Sequence, residues 1–70
     1  MSDTLEARLL AAHTAGDQLS LISLYVEASE AAQTEEARSF YLTHAYVFAL
    51  EMGDPRAAKL GARLKEMGRD

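Results

Sequence analysis

Cysteine is absent from the chain. That excludes disulfides and thiolate metal sites, and it leans towards a reducing compartment. Proline occurs once and glycine four times, which leaves little room for β-turns or disordered linkers. Long apolar runs are missing as well. The longest uncharged run, Ser39 to Leu50, is too short for a bilayer, which needs about 20 residues. The opening Met1-Ser2-Asp3-Thr4-Leu5-Glu6 carries early acids and no apolar stretch of the kind a secretory signal requires. The expectation is a soluble cytoplasmic protein with no membrane partner.

Basic residues are scarce until the end. Up to residue 55, Arg8 and Arg38 stand against nine acids, a balance of −7. Residues 56–70 reverse the sign, with Arg56, Lys59, Arg63, Lys65 and Arg69 against Glu66 and Asp70, a balance of +3. An acidic body argues against nucleic acid as the partner. The late cations are expected to offset acids on neighbouring helices and to suit a helix C-terminus.

What is present points to helices. A chain of 70 residues makes one domain, 1–70, that buries only about 60% of its unfolded surface. Its hydrophobic fraction of 49% is rich in Ala and Leu, both good helix formers. The stretch Thr34–Met52 holds four of the five aromatic residues, Phe40, Tyr41, Tyr46 and Phe48. It is apolar over most of its circumference, so it belongs between neighbours. Its strand-like alternation is outweighed by helix-forming flanks and by the lack of bounding turn residues.

Three more helices follow from caps and periodicity. The first runs from about Thr4 to Ala15, with Asp3 as N-cap, Glu6 reaching back, and Gly16 as terminator. The second is capped by Asp17 and runs to about Ala32. Leu21, Leu24, Tyr25, Ala28 and Ala32 form its apolar face, and Ser20, Ser23, Glu27, Glu30 and Thr34 its wet stripe. The aromatic helix is capped by Thr34 and stopped by Gly53. The last opens on Asp54-Pro55 and stops at Gly68. Gly61, inside that helix, is expected to mark a close backbone approach to the aromatic helix. Short links make the helices antiparallel neighbours: an all-α fold of two helical hairpins, about 3–33 and 34–68, TPR-like or a four-helix bundle.

The hairpins echo each other. Ala15-Gly16-Asp17 and Met52-Gly53-Asp54 are 37 residues apart, with Leu21, Tyr25 and Ala28 after the first turn and Ala58 and Ala62 after the second. The pattern resembles the helix–turn–helix unit of tetratricopeptide (TPR) and Sel1-like repeats. It departs from them at Leu9 and Tyr46, where those repeats favour a tiny residue, at Lys65, and in having no closing proline. The resemblance implies a protein-binding module in which the first helix of each unit lines a concave groove. Glu6, Leu10 and His13 of the first helix would then share a surface with Phe40, Thr43, His44, Val47 and Glu51 of the third.

Sites for chemistry are few. His13, His44 and Glu51 could be imagined as metal ligands, but no ligand pair has a helical spacing such as i, i+4. There is no nucleophile motif and no Gly-rich phosphate loop. The tyrosines Tyr25, Tyr41 and Tyr46 are expected to pack with hydroxyls at the rim. The expected function is a small interaction module, without catalysis, metal or cofactor, that binds itself as a homodimer or an unknown protein. An accessory or regulatory subunit is the alternative, and a metal or small-molecule binder using His13 and His44 is a more remote one.

Overall fold

The structure is a computed structural model and describes residues 4–68. It is all-α: α1 spans Leu5–Ala15, α2 Gln18–Ala31, α3 Glu35–Met52 and α4 Arg56–Glu66. The links are two or three residues long, so successive helices run antiparallel and α1 and α3 point the same way. The backbone occupies a flat slab of 38 × 29 × 12 Å.

Local chemistry sets each boundary. Thr4 caps α1, its Oγ1 accepting from the Ala7 N–H at 3.1 Å. The cap expected at Asp3 lies outside the described residues, and the role belongs to Thr4. The reason is register: a hydroxyl three residues before Ala7 reaches the orphan N–H directly. Asp17 caps α2 through the Ser20 N–H, and Thr34 caps α3 through the Ala37 N–H. Gly16 and Gly53 close α1 and α3 with φ of 66° and 64°, a left-handed conformation that costs other residues a Cβ clash. At α4 the Asp54 carboxylate takes the Arg56 N–H at 2.9 Å, and Pro55 already has helical φ of −61°. A guanidinium closes the C-terminal end of α2, where Arg38 donates to the Ala32 carbonyl at 3.1 Å.

Packing follows chain order. α2 lies against α1 and α3, and α3 against α4; no other pair of helices brings its backbones together. One cluster joins Ile22 of α2, Leu42, Ala45 and Ala49 of α3, and Leu60 and Leu64 of α4. A second joins Ala12 of α1 to Leu21 and Leu24 of α2. Ala45 and Ala49 of α3 are fully buried in this cluster, where small side chains allow helices to pack closely. α2 therefore buries a wider arc than its expected apolar face. Ile22 and Ser29 are fully enclosed, because one side of the helix meets α1 and the other meets α3, where Leu60 and Leu64 of α4 join the same cluster. The Ser29 hydroxyl is buried without a hydrogen-bond partner.

Gly61 lies against Tyr46, but the neighbour is a side chain. A Cβ there would stand 3.1 Å from Tyr46 Cε1 and 3.5 Å from Cζ and Oη. The glycine makes room for a ring, where a backbone had been expected.

Candidate functional site

On α2, Tyr25 falls on the arc midway between the side that meets α1 and the side that meets α3. Its ring fills the wedge between those two helices. It lies 5.9 Å from the His13 ring of α1, edge-on, and stacks on α3 against His44 at 5.0 Å, Phe48 at 6.0 Å and Tyr41 at 6.3 Å. The wedge keeps the α1 and α3 backbones apart while their side chains meet: His13 and Phe48 are 6.2 Å apart, edge-on. The series continues outward, with Phe40 4.6 Å from His44 and 5.5 Å from Tyr41. Six rings on three helices thus make one connected floor.

Two hydrogen bonds orient the histidines. His13 Nε2 lies 2.9 Å from the Tyr25 hydroxyl. His44 Nδ1 lies 3.0 Å from the Phe40 carbonyl, one turn back on its own helix. With a carbonyl as acceptor, Nδ1 of His44 must be the protonated nitrogen. Each imidazole keeps one nitrogen for other partners.

The eight expected surface residues are placed as follows. His13, His44 and Phe40 are brought together by Tyr25. Leu10, Phe40 and Val47 are open to solvent, at 68%, 57% and 44% exposure. Glu6 and Glu51 are exposed and enter no ion pair among the described residues. Thr43 is exposed, but its hydroxyl donates to the Ser39 carbonyl at 2.8 Å and is spent on its own helix. Tyr25 and Tyr41 pack as expected, and with Phe48 their packing builds the floor. The signal for Tyr25 was its place between two apolar stripes of one helix.

The opposite side of α1 and α2 carries a shallow groove of about 780 Å³, lined by Arg8, Ser20, Ser23, Leu24, Asp54 and Arg56 among others. Its charges answer one another. Arg8 grips both oxygens of Glu27 at 2.9 Å, and Arg56 binds Asp54 and reaches the Ser23 hydroxyl. These hydrogen bonds hold the Glu27 and Asp54 carboxyls below the usual carboxylate range, and Ser20 does the same for Asp17. The guanidinium of Arg56 is pushed the other way, up, by Asp54.

Arg63 and Lys65 fall in the last turn of α4, and the expected offset against the acids of α2 and α3 is not made through direct ion pairs. Among the described residues Lys59, Arg63 and Lys65 make no ion pair. They stand on the outer arc of α4, because Leu60 and Leu64 hold the opposite arc in the core. Among the described residues no group of three or more His, Asp or Glu side chains is gathered to hold a metal ion. No described helix is long and apolar enough to cross a membrane. Set against protein-family models, curated proteins and solved structures, the chain matches none.

Proposed function

We propose that the chain is a small cytoplasmic interaction module that docks a polypeptide on its α1/α3 face and performs no catalysis. The observation that supports this most is the exposure of Leu10 on α1 and of Phe40 at the outer edge of the floor of rings. Burying a Phe, Leu or Val side chain contributes about 1.5–3 kcal/mol each. A domain this small has few other sources of stability once cysteine is absent. Two copies can cover the face as a homodimer, which would bury every residue of it twice. The His13 and His44 metal reading has less behind it, since among the described residues no group of three or more His, Asp or Glu side chains is gathered around them.

The test is light scattering of wild type and a Phe40→Ser/Val47→Ser variant across concentration, with a pull-down from the host. The wild type should associate or retain a partner, and the variant should do neither while keeping its helicity. A wild type that stays monomeric at high concentration and retains nothing would mean the face is merely exposed.

A further inference from the structure

We infer that the preferred occupant of the α1/α3 face is a basic segment of another protein, one that sets two cationic side chains against acids offset by about 15 Å along the helix axes, with an apolar residue between them. This rests on the docking role proposed above and names the chemistry of the partner.

The first ground is charge. Glu6 stands seven residues before His13, and His13 is level with Phe48. With α1 and α3 running the same way, Glu6 falls near the level of Tyr41. Glu51 lies ten residues farther along α3, about 15 Å at 1.5 Å per residue. The two carboxylates therefore bracket the aromatic floor along its length, both exposed and both without an ion pair among the described residues. Glu36, exposed one turn before Phe40, adds a third acid on the same stripe. Among the described residues no lysine or arginine belongs to this face. The guanidinium of Arg8 is on Glu27 and that of Arg38 on the Ala32 carbonyl.

The second ground is the rings. Aromatic faces attract a cation within about 6 Å of the centroid, so the floor favours the same sign that the rim does. A symmetric second copy fits less well, since it would set these acids against the same acidic face. The cations of a second copy's α4 do not serve either. The leucines beside them, Leu60 and Leu64, are buried in their own core and leave nothing large to seat on the rings.

The experiment titrates the full chain with three synthetic amphipathic peptides that differ only at the two charged positions: lysine, glutamine or glutamate. Fluorescence anisotropy reads binding to wild type, to Glu6→Gln/Glu51→Gln and to Phe40→Ser/Val47→Ser. The lysine peptide should bind wild type best. It should bind the glutamine variant about tenfold more weakly and weaken as salt is raised. Equal binding of all three peptides, or undiminished binding to Glu6→Gln/Glu51→Gln, overturns the basic preference. If Phe40→Ser/Val47→Ser still abolishes that binding, the docking role survives. Binding of no peptide, with a wild type that dimerises through this face, also overturns the basic preference alone. Binding of no peptide by a strictly monomeric chain that retains no partner overturns both.

Discussion

Replacing Gly61 with alanine sets two effects of known size against each other. A glycine inside a helix costs about 1 kcal/mol relative to alanine, so an open site would gain that much. The site is not open: the new methyl would stand 3.1 Å from Tyr46 Cε1, where carbon pairs prefer about 3.5–4.0 Å. The ring must retreat by roughly half an ångström. Tyr46 is half-buried against the cluster of Leu42, Leu60 and Leu64, so retreat disturbs the α3/α4 seam. Overpacking of this kind costs about 1–3 kcal/mol, which leaves a net destabilisation of about 0–2 kcal/mol. In a Tyr46→Leu background the obstruction is gone, and Gly61→Ala should stabilise by about 1 kcal/mol. Urea denaturation followed by circular dichroism gives all four corners of the cycle. The expected coupling is about 1–3 kcal/mol, a readable share of a total stability of roughly 4–10 kcal/mol for a chain of this size. Equal effects of Gly61→Ala in both backgrounds would show that the ring does not constrain the glycine.

Other consequences are as direct. Ser29→Ala removes a buried hydroxyl that has no partner and should raise stability by about 1 kcal/mol; a lower melting temperature would mean the hydroxyl is satisfied. Asp17, Glu27 and Asp54 have depressed carboxyl pKa values in the fold. Their contribution is complete above the ordinary carboxylate range and is lost as pH falls through the lower folded values, below about pH 4. Thermal melts should therefore fall in acid, and fall less for Glu27→Gln; identical acid sensitivity in the two would remove the Arg8–Glu27 pair from the explanation. Tyr25→Ala takes out the wedge between α1 and α3 and should cost about 3 kcal/mol, with the ring contacts of His13 and His44 lost together in proton NMR.

The helices were legible in the sequence because their punctuation is local. Asp17, Thr34, Gly16 and Gly53 each act on backbone within a few residues, so their roles need no knowledge of the partner helix. Burial of Ile22 and Ser29 was not legible, because it depends on α2 meeting neighbours on two sides. The face bearing His13, Phe40 and His44 was visible as two helical stripes. What joins them was not, since Tyr25 belongs to a third helix and its place in the wedge is set by how α1 and α3 splay around α2. Gly61 announced a close approach, but spacing alone could not tell a backbone from a tyrosine ring. The charges of α4 were legible in part: Arg63 and Lys65 fall in its last turn. Whether a cation meets an acid directly depends on which arc the core leucines claim, and Lys59, Arg63 and Lys65 make no direct ion pair among the described residues.

Chemical-shift mapping of the isotopically labelled chain, titrated stepwise with the lysine peptide and separately concentrated from dilute to millimolar, reports directly on where it is touched. A docking face floored by Tyr25 predicts shifts confined to residues 6–13 of α1 and 40–51 of α3, together with Tyr25. Shifts that cluster instead on α4 or in the α1/α2 groove, or a spectrum unchanged over the whole range, would contradict it.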